Sequence, residues 1–195
     1  MAVMATNVVG VGRTCRAFLP LLRESGAGRL VLIGSYFGSI AGALGAGHLY
    51  YEASKHAVEG MADNLRRSEA ANGAGVRVSL VKPGNIVTGM NPKPYGEDEP
   101  AVVVRAVRHA LGPSPKRRYL AGRVKGWPVG LLCWIFTHMP SWLTDKQPHV
   151  RCHTSLLDAN DVHGKQPPTS RGFINQLGWL HIVPYPRGRV RRGGN

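Results

Sequence analysis

Cysteine, acidic residues and long apolar runs are all scarce in this chain, and each shortage excludes a class of protein. The three cysteines, Cys15, Cys133 and Cys152, are too few and too scattered for a disulfide framework or a cysteine-based metal site. A reducing compartment is the default setting, so the expected location is cytoplasmic. His149, His153 and His163 lie near Cys152, but their spacing fits no usual zinc pattern, and no metal is expected. The longest late apolar stretch, residues 127–136, falls far short of the roughly 20 residues that span a bilayer. The first ten residues lack a basic segment followed by a sustained apolar one, so no secretory signal is read there.

Aspartate and glutamate number 11 against 25 lysines and arginines, which leaves a net charge of +14. The excess is uneven. Residues 1–111 hold 12 basic and 8 acidic side chains, whereas residues 112–195 hold 13 basic and 3 acidic. The basic clusters "PKRRY" (115–119) and "RGRVRR" (187–192) could attach to phosphates or acidic lipid heads, so membrane-surface association stays open. No aromatic-interleaved basic motif or zinc finger accompanies them, and nucleic acid is not expected as a partner.

Hydrophobic residues make up 43% of the 195, which suits one soluble domain with a sizeable core. Residues 3–23 read as a helix, with Val8, Val11, Cys15, Phe18 and Leu22 on one apolar stripe. The run "RLVLIG" (29–34) has the pattern of a strand buried on both faces. A Gly-rich loop (35–48) leads to a second helix over 51–71, with Ala53, Ala57, Met61 and Leu65 on its apolar face. "VRVSLV" (76–81) is a second strand, 82–94 a loop, 97–111 a third helix with an acidic first turn, and 117–122 a third strand. Helices alternating with strands predict an α/β fold with a parallel sheet. The pattern fades after Asp145, so residues 1–145 are assigned to the domain and 146–195 to a mostly irregular basic tail.

Tyr51 and Lys55 fall at i and i+4, on one face of the second helix. An ammonium beside a phenol favours the phenolate and lowers the tyrosine pKa toward working pH, as an acid/base for carbonyl reduction or alcohol oxidation requires. The spacing alone is common, but its surroundings add to it. Ser35 directly follows the buried strand, where a hydroxyl could bond a substrate oxygen. "PGNIVT" (83–88) closes the next strand at its carboxyl end, where ligands bind in open α/β sheets.

With these segments in order, residues 7–88 resemble the second half of a short-chain dehydrogenase/reductase. "TNVVGVGRTCRAFLPLL" resembles the helix that carries the family's catalytic asparagine, and "GRLVLIGS" the strand ending in its serine. "YEASKHAVEGMADNLRRS" resembles the Tyr-x-x-x-Lys helix, and "VRVSLVKPGNIVT" the strand and turn that hold the nicotinamide. More loosely, "KRRYLAG" and "MPSWLTD" are similar to the retinol, hydroxysteroid and hydroxybutyrate dehydrogenase branches. The resemblance implies an NAD- or NADP-dependent oxidoreductase for an apolar secondary alcohol or ketone. Tyr51 would be the general acid/base and Lys55 its modulator and ribose ligand. Ser35 would orient the substrate oxygen, and Asn7 would anchor a proton-relay water. Pro83, Gly84, Ile86 and Thr88 would line the nicotinamide. Dimerisation through helices 3–23 and 51–71 is also implied.

Three departures qualify that expectation. The strand, Gly-rich phosphate turn and helix that open a complete member are not found, and "GVGRTC" (10–15) is no substitute for them. The expected architecture is therefore a partial Rossmann-like sheet lacking its N-terminal strands, with an open apolar edge beside residues 29–34. A truncated, non-catalytic chain acting by association with a complete homologue or a membrane surface is the alternative, and the residues that choose NAD or NADP are missing. The second departure is the serine: distance from Tyr51 favours Ser39, while register from the strand favours Ser35, and Ser35 is assigned because strand ends fix position better than Gly-rich loops. The third is the tail, residues 150–195, which matches no part of the family.

Overall fold

The structure, a computed structural model, describes residues 2–40, 49–89, 91–93, 96–140 and 180–183. Its centre is a sheet in the order β3-β2-β1-β6. Strand β1 (Arg29–Ile33) pairs in parallel with β2 (Arg77–Pro83), Leu32 opposite Leu80, and β2 in parallel with β3 (Arg118–Ala121). The expected strands are all present, within two residues of their predicted ends. All five residues of β1 are buried, because helices cover both faces of the sheet.

The fourth strand was not foreseen. Leu180–Val183 forms β6 and pairs antiparallel with β1, Leu180 opposite Leu32 and Val183 opposite Arg29. The edge expected to lie open is thus covered by backbone from the tail. Four residues of the segment predicted to be irregular are ordered as a strand, and the rest of 146–195 lies outside the described residues.

One face of the sheet carries two helices. The N-terminal helix runs from α1 (Ala2–Met4) through a π-helical segment, Ala5–Gly10, into α2 (Val11–Glu24). Helix α3 spans Leu49–Asn72. Cys15, Leu19, Leu22, Val58 and Ala62 pack there on Leu30, Leu32, Val78 and Leu80. Two predicted stripes are displaced. Phe18 is exposed, and Leu19 takes its place inside. On α3 the buried residues are Glu52, Ser54, Lys55, Val58, Ala62 and Glu69, while Ala53 is exposed and Ala57, Met61 and Leu65 are half-buried. Three of the six carry charges, so an apolar count could not find this face.

On the other face, α4 (Ala101–Ala110) packs Val107 and Ala110 on Val31, Ile33 and Val81. It starts four residues later than predicted. Glu97 and Asp98 instead serve the segment beyond β3: Glu97 accepts from the Gly126 and Lys125 amides, and Asp98 pairs with Arg123 at 3.1 Å. There a short hairpin, β4 (Arg123–Val124) and β5 (Trp127–Pro128), leads into α5 (Val129–His138). Lys125, in the hairpin turn, is the only non-glycine with positive φ among the described residues, at 50°. Val124, Val129, Leu132 and Cys133 enclose Tyr36 and Ile40 in a third apolar cluster, beyond the carboxyl end of β1.

Candidate active site

The carboxyl end of β1 delivers the site. After Ile33 the chain leaves the sheet at Gly34, whose amide donates to Val81 O at 2.8 Å. Ser35, extended and buried, caps a single 3-10 turn, Tyr36–Gly38, and its hydroxyl accepts from the Phe37 amide at 3.3 Å. The Ser35 side chain also lies near enough to the Tyr51 phenol on α3 to oppose the rise in its pKa. Ser39, the rival serine, points elsewhere: it donates to Glu59 Oε2 at 3.3 Å and accepts from Lys82 Nζ. Of the two, Ser35 is the one brought to Tyr51.

Lys55 lies one turn along α3 from Tyr51, its Nζ 5.5 Å from the centre of the phenol ring. It is buried at 8% exposure and donates to Ile33 O at 3.3 Å. Burial lowers its pKa from 10.5 to about 8. Tyr51 does not show the lowered pKa expected from the lysine. Desolvation pushes its phenol above 10, and the nearby Ser35 hydroxyl opposes that rise. Lys55 spends its nearest contact on the backbone instead.

Asn7 sits in the π-helical segment and donates from Nδ2 to Ser54 Oγ at 3.0 Å; Ser54 in turn donates to Tyr51 O at 2.6 Å. Its side chain therefore braces α3 between Tyr51 and Lys55. The predicted nicotinamide residues follow β2. Pro83 ends that strand. Gly84 donates to Ala121 O at 2.8 Å, and a Cβ there would come 2.6 Å from Val129 Cγ2, so this approach requires glycine. Ile86 bridges to Asp98, and Thr88 closes a turn by accepting from the Asn91 amide at 3.1 Å.

Tyr36, Asn85 and Lys82 escaped the sequence reading. The Tyr36 hydroxyl donates to Asn85 Oδ1 at 3.4 Å, and Asn85 Nδ2 donates to Glu97 Oε1 at 3.0 Å, which ties the serine segment to the loop after β2. Lys82 is a buried cation near the end of β2, after the apolar pair Leu80 and Val81, and that oddity is the available signal.

The nicotinamide end of a dinucleotide fits these residues. An ammonium has three donors, and among the described residues Lys55 meets one acceptor, Ile33 O, which leaves donors for sugar hydroxyls. The Tyr51 hydroxyl and the loop from Pro83 to Thr88 flank the same end of the sheet. Phe37 stacks on Tyr36 and sets its ring edge-on to Tyr51, centroids 6.1 Å apart, giving the site an apolar wall. Among the described residues no group of three or more histidine, cysteine or carboxylate side chains could hold a metal, and no helix is long and apolar enough to cross a membrane.

Comparison with known proteins bears on the same region. A family model described as short chain dehydrogenase matches residues 1–98. The uncharacterized oxidoreductase YbbO of Escherichia coli K12 is 31% identical over 147 residues, covering 67% of this chain and 50% of YbbO. Human 17-beta-hydroxysteroid dehydrogenase type 6 is 37% identical over 90 residues, 46% of this chain and 26% of that protein. A crystal structure of a short chain dehydrogenase from Burkholderia cenocepacia J2315 in complex with NADP superposes with a TM-score of 0.60 at 25% identity, covering 74% of this chain and 58% of the other. The chain spans half or less of the length of these two curated relatives.

Proposed function

The chain belongs to the short-chain dehydrogenase family, and on that premise we propose that it serves an NAD- or NADP-dependent interconversion of a secondary alcohol and a ketone on an apolar substrate. The observation that carries this reading is the buried Lys55, its Nζ 5.5 Å from the Tyr51 ring and bonded to Ile33 O, beside the buried Ser35 at the carboxyl end of β1. A nicotinamide, when bound, supplies or accepts the hydride. The rest falls to side chains of this chain. In reduction, Ser35 donates to the carbonyl oxygen and holds it near Tyr51. Tyr51 passes its proton to that oxygen as negative charge develops there. The Lys55 ammonium steadies the phenolate left behind, and in oxidation the same proton moves back. Asn7 keeps α3 in place through Ser54. The Phe37 wall and the apolar cluster behind it favour an apolar substrate, as does the likeness to a hydroxysteroid dehydrogenase.

The test follows reduced nicotinamide by absorbance with NADH and NADPH against a series of apolar ketones. Tyr51→Phe should lower turnover about 10²–10⁴-fold with an unchanged circular dichroism spectrum. Turnover equal to the wild type would remove Tyr51 from the reaction.

A second reading is association through the N-terminal helix and α3. It is favoured by Val3, Val9, Phe18 and Leu21, exposed at 39%, 49%, 42% and 58%. Light scattering separates it: a dimer that Phe18→Ser or Leu21→Ser reduces to monomer supports it, and a monomeric wild type sinks it.

A further inference from the structure

Ser39, Glu59 and Lys82 form a largely buried cluster that the reaction itself does not use. Lys82 leaves β2 toward α3 with 3% of its side chain exposed and pairs with Glu59 Oε2 at 2.9 Å. It also donates to Ser39 Oγ, and Ser39 donates to the same Glu59 oxygen at 3.3 Å. The other Glu59 oxygen accepts from Arg118 of β3 at 3.2 Å, and Arg118 reaches Asp63 at 2.7 Å. Helix α3 and strand β2 therefore converge on one hydroxyl, in the segment that follows β1, and β3 joins them through Arg118. Burying an ammonium is costly unless it is paired and hydrogen-bonded, so the cluster holds its members in one arrangement.

We propose that this cluster is a clamp in which Ser39, Glu59 and Lys82 are positioning residues: they fix the 35–40 segment against α3 and so set Ser35 opposite Tyr51. The proposal rests on the pairing of Ser35 with Tyr51 described above. The link between the two serines is stiff. The Gly38 amide donates to Ser35 O, and the Ser39 amide to Tyr36 O, each at 3.0 Å. Gly38 touches α3 directly: a Cβ there would lie 2.8 Å from Lys55 O and 3.3 Å from Glu59 Oε2. Displacement of Ser39 therefore moves Ser35 relative to the helix carrying Tyr51 and Lys55. The charged and titratable groups around Tyr51, namely Lys55, Glu52 and Tyr36, are not part of the clamp.

The test needs no turnover. The Tyr51 titration is read as the difference in tyrosinate absorbance between each protein and the same protein carrying Tyr51→Phe, with circular dichroism monitoring the fold at each pH. Ser35→Ala should raise the half-titration pH, because it removes the nearby hydroxyl that opposes the rise. Ser39→Ala should raise it in the same direction. The Ser35→Ala/Ser39→Ala double variant should go no further than Ser35→Ala alone, since the clamp acts only through Ser35. Lys82→Met, which leaves Glu59 paired with Arg118, should repeat the Ser39→Ala result. A wild-type titration in both Ser39→Ala and Lys82→Met, with only the melting temperature lowered, would reduce the cluster to a structural tie and overturn the proposal. Independent, summed shifts in the double variant would overturn it as well. If Ser35→Ala itself moved nothing, the Ser35–Tyr51 pairing would fail, and the clamp with it.

Discussion

The Lys55 ammonium donates to the carbonyl of Ile33, the last residue of β1, at 3.3 Å. A cation is thus held at the sheet's carboxyl edge by one backbone oxygen, in surroundings that lower its pKa to about 8. Below that pH the lysine is charged in both the folded and unfolded states, and the full cost of burying the charge is present. Between about pH 8 and 10.5 the unfolded chain binds more protons than the folded one, so this group adds stability as pH rises. Lys55→Met should remove that rise and stabilise the protein at pH 7 by up to roughly 3 kcal/mol. Urea midpoints for both proteins at pH 7 and 9.5 check this, and parallel curves would refute it.

Glu69 is fully buried and bonded by Arg23, Oε1 to Nη2 at 2.6 Å, which fixes α2 against α3. The hydrogen bond from Arg23 holds the Glu69 carboxyl below its ordinary 4.5. Its stabilising contribution is present above that value and lost as pH falls through the folded pKa. Glu69→Gln should flatten the acid limb of a melting-temperature profile below pH 4.5. An acid limb as steep as the wild type's would assign acid sensitivity to other carboxylates.

Glu59 and Lys82 should respond unequally to removal. Glu59→Gln leaves the Lys82 ammonium buried without its counter-charge and should cost about 3–5 kcal/mol in denaturant unfolding. Lys82→Met leaves Glu59 with Arg118 and should cost clearly less. Equal losses would mean that Arg118 does not sustain Glu59.

Strand β6 covers the β1 edge by backbone pairing along four residues. A chain ending at residue 179 should expose that edge and self-associate, because unpaired amides and carbonyls template pairing with another chain. Light scattering across a concentration series reads this, and a truncated chain that stays monomeric would show that the edge is protected by other means.

Much of the architecture was legible in local pattern. The three parallel strands and the helices between them follow from apolar runs and glycine stops, because a strand buried on both faces must be continuously apolar. Tyr51 and Lys55 share a face because helical spacing puts i and i+4 together. The buried face of α3 was misread by one residue, since Glu52, Lys55 and Glu69 lie where an apolar count expects none. The acidic pair Glu97 and Asp98 has the pattern of a helix start and instead holds the segment after β3.

By itself, the sequence determined the order of elements and the helix bearing the tyrosine and lysine, which rest on local spacing, and the parallel sheet followed from the alternation of helices and strands. Only the tertiary structure decided that Ser39 goes to Glu59 and Lys82 while Ser35 lies near Tyr51, that Lys82 is buried, and that residues 180–183 close the sheet beside β1. Those outcomes join residues 16 to about 150 positions apart. Periodicity carries no information at such separations. The pairing is chosen by which buried charge finds a partner and which open edge finds a strand.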